Sequence, residues 1–236
     1  MTRSAIWKSI ADTLATEIGS GHYRPGDRLP TEALLSTRFG VNRHTVRHAL
    51  ASLAASGIVH ARRGAGVFVA QSPQSYPIGR RVRFHQNVAA SGRTPSRQIL
   101  RLETRACDAV EAAELAIAEG SDVHVMEGLS LADGQPLAAF RSIFPAAPLP
   151  GLLTELQRTG SVTSALAAAG VADYTRASTR LTATSARVTL ALQLRLPEGA
   201  PILRSVAINI DLSGRPVEYG TTWFAGERVE LTITPD

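Results

Sequence analysis

The segment GVNRHTVRHAL holds the side chains best suited to chemistry in this sequence. It places amide, guanidinium, imidazole and hydroxyl groups within a few positions, on Asn42, Arg43, His44, Thr45 and Arg47. An arginine can donate two hydrogen bonds to one guanine, and asparagine or threonine can bond to other base edges. A helix with these groups is either a solvated surface or a surface that contacts nucleic acid, and the neighbouring elements decide between the two.

The elements that must position this segment are three helices and a hairpin. Ile6, Ile10, Leu14 and Ile18 recur every four residues, which predicts one apolar stripe along a first helix. Thr31 predicts the N-cap of a short second helix that stops at Gly40.

Asn42 predicts the N-cap of a third helix whose Val46, Leu50 and Leu53 share one buried face. Two short strands, 58–61 and 67–70, follow and are joined by a basic, glycine-rich tip. This order is that of a winged helix-turn-helix, in which the N-terminal residues of the third helix face the major groove.

Residues 24–69, RPGDRLPTEALLSTRFGVNRHTVRHALASLAASGIVHARRGAGVFV, resemble the DNA-binding domain of the GntR family of bacterial transcription regulators. The resemblance implies base and phosphate contacts from the third helix and an approach of the wing tip to the minor groove. The candidate DNA-contacting residues are Asn42, Arg43, His44, Thr45, Arg47, Arg62, Arg63 and Gly64. Ala33 stands where this family usually carries a second basic residue, so one expected contact is absent.

The distribution of charge predicts that double-stranded DNA binds to the N-terminal part of the chain. Residues 1–70 contain nine Lys and Arg against four Asp and Glu, residues 71–105 contain seven against one, and residues 106–236 contain nine against fifteen. A lone cysteine, Cys107, predicts a reducing compartment and a role as an apolar filler. No apolar run approaches a membrane span, so we predict a cytoplasmic protein with no membrane partner.

The sequence predicts no metal site and no cofactor. His44 and His48 have the helical spacing of two zinc ligands, but the sequence HTVRH lacks the glutamate of a metalloprotease helix and has no nearby thiolate or carboxylate ligand.

The back half contains a weak internal repeat. Residues 108–144 and 185–224 each predict a helix, an EG pair, a strand, a turn and a second strand, with matching order and spacing. In the helix of the first repeat, Val110, Leu115 and Ala118 are expected to point inward. Together with a last strand, 229–234, the repeats predict an α+β domain with one mixed sheet and a pseudo-twofold cleft.

This half resembles the effector-binding UTRA domain of the histidine-utilisation-repressor branch, which is similar in fold to chorismate lyase. We predict a winged helix-turn-helix domain over 1–70, a linker over 71–80, and a UTRA effector-binding and dimerisation domain over 81–236. The stretches YPIGRRVRF, YTRASTRLTA and RPVEYGTTWFAGERVEL are most similar to regulators of phosphonate uptake and degradation genes.

A small anionic effector such as a phosphonate, phosphate or phosphorylated metabolite needs converging donors, since a buried unpaired anion is costly. The N-terminus of the helix SVTSALAAAG is one predicted anion site. In the strand VEYGTTWF, alternation puts Tyr219 and Thr221 on one face, whereas the resemblance implies that Glu218 is used. The candidate effector-binding residues are Arg83, Phe84, Arg141, Ser161, Thr163, Arg176, Glu218, Tyr219 and Thr221.

Two kinds of function remain in competition. The first is a ligand-responsive transcription regulator, with repression as the commoner habit of the family, that binds a palindromic operator as a homodimer. The alternative is a chorismate-lyase-type enzyme with an appended winged helix, using Glu127, Glu218 and Arg141. The sequence shows no Ser/His/Asp or Cys/His constellation and no phosphate-cradling loop, so a non-enzyme is predicted.

Overall fold

The computed structural model describes residues 3–62, 64–70 and 73–233. The chain divides into two compact units, 1–72 and 73–236. Among the described residues, no helix is both long enough and apolar enough to cross a membrane.

The described residues of the first unit form three helices and a two-stranded hairpin, as the sequence predicts. Its elements are α1 (Arg3–Gly19), α2 (Glu32–Phe39), α3 (Arg43–Ala55), β1 (Val59–Arg62) and β2 (Gly66–Val69). Strands β1 and β2 are antiparallel, with Val59 opposite Val69. Leu14, Leu35, Val46, Leu50 and Leu53 are buried together and hold the helices around one core.

Local capping explains where the helices of this unit begin and end. The Thr31 hydroxyl accepts a hydrogen bond from the backbone N–H of Leu34, and the Asn42 side chain accepts one from that of Thr45. Gly40 ends α2 in the left-handed region, with φ of 63°, a conformation that costs glycine little. The chain therefore turns between α2 and α3 over three residues, Gly40 to Asn42, and presents the start of α3.

The second unit has a six-stranded antiparallel sheet in the order β4-β5-β6-β9-β8-β7. Its strands are β4 (Pro95–Ala106), β5 (Asp122–Ala132), β6 (Gln135–Pro145), β7 (Tyr174–Ser185), β8 (Pro201–Asp211) and β9 (Pro216–Ala225). A separate parallel pair joins β3 (Gln74–Pro77) to β10 (Val229–Thr232). The predicted linker, 71–80, therefore includes a strand, because Tyr76 and Ile78 are buried in the unit's core. Residues 71, 72 and 234–236 lie outside the described residues.

In the described part of the second unit, five helices accompany the sheet. They are α4 (Phe84–Ala90), α5 (Ala109–Leu115), α6 (Leu152–Thr159), α7 (Val162–Ala168) and α8 (Val188–Leu194). The two repeats are observed as β4-α5-β5-β6 and β7-α8-β8-β9, so each is one strand longer than predicted. The pseudo-twofold axis passes between the central strands β6 and β9, which are paired directly.

The inward face predicted for α5 is confirmed at Leu115 and wrong at Val110 and Ala118. Val110 is 60% exposed and Ala118 lies beyond the helix, which ends at Leu115. Asp108 and Glu111 form a capping box, and Glu111, Ala112 and Leu115 are buried. The buried side of α5 therefore includes a polar capping residue together with apolar ones.

Candidate functional site

The start of α3 is exposed in the first unit. The Asn42 side-chain oxygen accepts hydrogen bonds from the backbone N–H and hydroxyl of Thr45, at 2.8 and 2.9 Å. Arg43, His44 and Arg47 are exposed on the outer face, opposite the buried Val46. The helix thus presents two guanidinium groups and the remaining amide donors of its cap to solvent.

Arg47 is held by an ion pair with α2. Its Nε and Nη2 donate to the two carboxylate oxygens of Glu32, at 3.0 and 2.7 Å. The hydrogen bonds from Arg47 lower the pKa of the Glu32 carboxyl from its ordinary value. Two bonds to one carboxylate fix the plane of the guanidinium, so Arg47 has a defined direction before it meets a ligand.

The hairpin supplies the remaining predicted positions of this surface. Arg62 is the last residue of β1, and Gly64 lies in the tip with φ of 74°. Arg63 lies outside the described residues. Beside the tip, the guanidinium of Arg28 fills the space over Gly66, where an added Cβ would meet Arg28 Nε at 2.8 Å. The basic side chains of Arg43 and Arg47 on α3, and of Arg28 beside the hairpin, are typical of a surface that binds a polyanion.

The second unit contains a cavity on one face of the sheet, with a volume of about 90 Å³. An open cleft of about 300 Å³ lies beside it, near the start of α7. Arg97, Phe84 and Tyr174 line both spaces. We refer to these two spaces as the cavity and the cleft.

Three of the predicted effector residues line the cavity: Phe84, Arg176 and Glu218. Glu218 is buried, and its two oxygens accept hydrogen bonds from Ser142 Oγ and Asn209 Nδ2, each at 2.6 Å. Arg176 Nε donates to Asn209 Oδ1 at 3.4 Å. Burial lowers the pKa of Arg176, and the nearby Glu218 carboxylate raises it.

The cleft brings together Arg83, Ser161 and Thr163. The Arg83 guanidinium lies 3.7 Å from the centre of the Tyr174 ring and donates to the Tyr174 carbonyl at 3.0 Å. Ser161 caps α7 by accepting from the Ser164 N–H, and the Thr163 hydroxyl bonds to the Tyr174 hydroxyl at 2.9 Å. These polar groups already have partners inside the unit.

The remaining predicted residues lie on the opposite face of the sheet. Arg141 and Thr221 are cross-strand partners on β6 and β9, and Arg141 Nε donates to Glu127 at 2.6 Å. Tyr219 packs beside Ile143 on the same face. The structure therefore separates Arg141, Tyr219 and Thr221 from the cavity, because neighbouring residues of a strand point to opposite sides.

Arg97 is the residue that the sequence reasoning missed. Among the described residues its buried Nε has no hydrogen-bond partner, and its Nη1 donates a long bond of 3.5 Å to the Gly160 carbonyl. Its guanidinium lies 5.0 and 5.6 Å from the ring centres of Phe140 and Phe84. Burial lowers the pKa of Arg97, although a guanidinium stays protonated in proteins. The cavity therefore contains a cation with unused hydrogen-bonding capacity.

Comparisons with known proteins agree with both units. Residues 7–69 match the model for bacterial regulatory proteins of the gntR family, and residues 90–230 match the UTRA domain. An HTH-type transcriptional regulator of Rhizobium meliloti (strain 1021), RB1450, is 38% identical over 97% of this chain and 94% of its own length. The chain belongs to the GntR family of regulators with a UTRA domain.

Two further relatives of this GntR protein carry the name PhnF. The probable transcriptional regulator PhnF of Escherichia coli (strain K12) is 32% identical over 96% of this chain and 94% of its own length. The crystal structure of PhnF from Mycobacterium smegmatis matches with a TM-score of 0.65 at 22% identity, covering 97% of this chain and 98% of that one. The fold prediction, a winged helix-turn-helix followed by a UTRA domain, is confirmed.

The same comparisons bear on the competing functions. The matched proteins are transcription regulators, which favours a regulator over an enzyme. Among the described residues, no three His, Cys, Asp or Glu side chains come together in a way that would hold a metal ion.

Proposed function

We propose that this chain is a repressor that binds a palindromic operator as a homodimer and responds to a small anionic effector. The observation that carries the effector half of this proposal is the cavity with Arg97, whose buried Nε is without a partner in the described structure. A buried donor without a partner costs stability, and an oxyanion supplies the missing acceptor.

The proposed DNA contacts are those of α3 and the wing. Arg43 and Arg47 are exposed on a helix whose opposite face is packed in the core, so they are available to base edges and phosphates. Asn42 and Thr45 share the cap, which leaves the Asn42 amide to donate outward. A single helix of this kind covers a short half-site, and two copies related by a dyad cover a palindrome.

The proposed effectors are phosphonates, phosphate and phosphorylated metabolites, and the proposed targets are genes for phosphonate uptake and degradation. The resemblance of YPIGRRVRF and YTRASTRLTA to phosphonate-gene regulators supports this class. Arg83 and Arg176, which line the cleft and the cavity, come from these two stretches. As an operator-binding protein, the chain would act in the cytoplasm.

A mobility-shift assay on the promoter region of the chain's own gene tests the proposal. Wild-type protein is expected to bind at physiological salt, and Arg43→Ala and Arg47→Ala are expected to lose sequence-specific binding. Arg38→Ala is the matched control, because Arg38 lies on α2 and pairs with Glu17 instead. Retained specific binding by both test variants would overturn the DNA assignment.

The proposed response to an effector can be measured in the same assay. Methylphosphonate and inorganic phosphate, added in separate titrations, are expected to change the affinity for the operator. A thermal-shift measurement on the same samples detects binding directly, because a ligand that binds only the folded state raises the melting temperature. If no anion changes either the melting temperature or the affinity for the operator, the proposal of an anionic effector is wrong.

A further inference from the structure

The two repeats of the sheet place equivalent residues in two rows across their strands. Cross-strand pairing joins Arg97 to Ser130 and Ser130 to Ala138 in the first repeat. We call these three residues the first row.

The second row is formed in the same way. Pairing joins Arg176 to Asn209 and Asn209 to Glu218. Arg97 and Arg176 are each the third residue of their strand, β4 and β7. Ser130 and Asn209 are each the ninth residue of β5 and β8.

The turns confirm that the rows are equivalent. Ala138 and Glu218 each follow the proline near the start of their strand, Pro136 or Pro216, by two residues. All six residues of the two rows line the same cavity. The cavity therefore straddles the pseudo-twofold axis and contains two versions of one arrangement.

The second row carries its own anion. The Glu218 carboxylate accepts from Asn209 at 2.6 Å, and Asn209 in turn accepts from Arg176 at 3.4 Å. A hydroxyl donor from the neighbouring repeat completes this arrangement, since Ser142 donates to the other Glu218 oxygen at 2.6 Å. The cation, the amide and the carboxylate form one connected chain.

The first row has the cation without the acid. Where the second row has Asn209 and Glu218, it has Ser130 and Ala138, whose short side chains bear no charge. The donor corresponding to Ser142 is Thr222, which stands six residues after Pro216 as Ser142 stands six after Pro136, and which lines the cavity. Arg97 and a hydroxyl thus face the position at which the second repeat holds a carboxylate.

We propose that the anionic group of the effector binds beside Arg97, over Ser130 and Ala138, and takes in the first repeat the place that the Glu218 carboxylate takes in the second. This inference rests on the proposed effector-sensing function and defines the ligand class for that site. The ligand group is a compact, singly charged oxyanion, either a carboxylate or the monoanion of a phosphonate.

Charge and size both define this class. Arg97 and Arg176 oppose a single carboxylate, Glu218, among the charged side chains that line the cavity. One negative charge from the ligand neutralises the remainder, whereas a second would be buried without a partner, which is costly. The volume of about 90 Å³ accommodates a group similar in size to the side-chain end that Ala138 lacks.

Isothermal titration calorimetry on the full chain tests the inference with acetate, methylphosphonate and inorganic phosphate as separate probes. Arg97→Met is expected to weaken binding of the preferred anion by about tenfold or more, the effect of losing one charge-assisted hydrogen bond. Arg101→Met is the matched control on the same strand, because Arg101 is exposed and pairs with Glu103. It is expected to bind like wild type.

A second variant supplies the missing acid from the chain itself. Ala138→Glu is expected to abolish anion binding and to melt at a higher temperature than Ala138→Gln, because the new carboxylate would pair with Arg97. Anion binding by Ala138→Glu at wild-type affinity would overturn the inference. If Ala138→Glu does not fold, the comparison of Arg97→Met with Arg101→Met decides alone.

The outcomes separate this inference from the proposed function. If wild type binds an anion and Arg97→Met binds it equally well, the position of the ligand is wrong while the sensor remains. If wild type binds none of the three probes, the anionic sensor and this site fail together. Preference for acetate over methylphosphonate identifies a carboxylate effector, and the reverse preference identifies a phosphonate.

Discussion

Arg47 and Glu32 illustrate how single residues set the behaviour of the DNA-binding surface. Both partners are solvated, with side-chain exposures of 65% and 35%, so their ion pair contributes little to stability. Its larger effect is on direction, because two hydrogen bonds hold one guanidinium in one plane. Glu32 also places a negative charge beside a surface that must approach phosphates. If Arg47 contacts DNA as proposed, we expect the pair to limit indiscriminate binding and to orient Arg47 for specific binding.

Replacing Glu32 by Gln should raise the affinity for random-sequence DNA and lower the ratio of specific to non-specific affinity by a few-fold. The added net positive charge strengthens phosphate contacts, while Arg47 loses its fixed orientation. Fluorescence anisotropy at several salt concentrations measures both affinities. Glu17→Gln is the control, since it removes a comparable pair with Arg38 in the same unit. Equal ratios in the two variants would contradict an orienting role for Glu32.

At the scale of elements, the helix caps could be predicted from the sequence, whereas the pairing register of the strands could not. The caps at Thr31 and Asn42 are confirmed because each depends on residues within one turn of the helix. Strand β4 was missed because it is an edge strand with polar side chains on both faces, and its sequence resembles a linker. Arg97 was missed with it, since its meaning depends on pairing with Ser130. The repeat, when extended by one strand toward the N-terminus, aligns Arg97 with Arg176.

The start of α5 depends on an ion pair as well as on its capping box. Arg105 donates to both oxygens of the buried Glu111, at 2.6 Å each, and these bonds lower the pKa of that carboxyl from its ordinary 4.5. A carboxyl with a lowered pKa in the folded state contributes stability that is present above 4.5. That contribution is lost as the pH falls through the lower, folded value.

Glu111→Gln should therefore lower the free energy of unfolding at pH 7 and flatten its dependence on pH below 4.5. Glutamine keeps the reciprocal cap, so the change isolates the charge. Urea denaturation from pH 7 to pH 3 measures the difference. Asp133→Asn is a useful control, because Asp133 pairs with Arg93 at an exposed turn. An unchanged pH profile in Glu111→Gln would show that the pair with Arg105 does not stabilise α5.

On the scale of the whole molecule, the two units have separate cores. The first is built around Leu14, Leu35 and Val46, and the described residues of the sheet unit form four further apolar clusters. Each core lies within one compact unit of the chain. The residues that line the cavity belong to the second unit, so we expect the binding free energy of a ligand there to add to the unfolding of that unit.

Differential scanning calorimetry should show two unfolding transitions. The preferred anion should raise the melting temperature of only one of them. At a ligand concentration of 100 times Kd, the added stability is about 2.7 kcal/mol, which corresponds to about 5 to 10 °C for a unit of this size. Leu53→Ala should move the other transition downward, since truncating a buried leucine costs about 2 to 5 kcal/mol. The anion-induced shift should be retained in Leu53→Ala and lost in Arg97→Met. A single transition that moves with both the anion and Leu53→Ala would instead mean that the two units unfold as one, and that effector binding stabilises the DNA-binding helices together with the sheet.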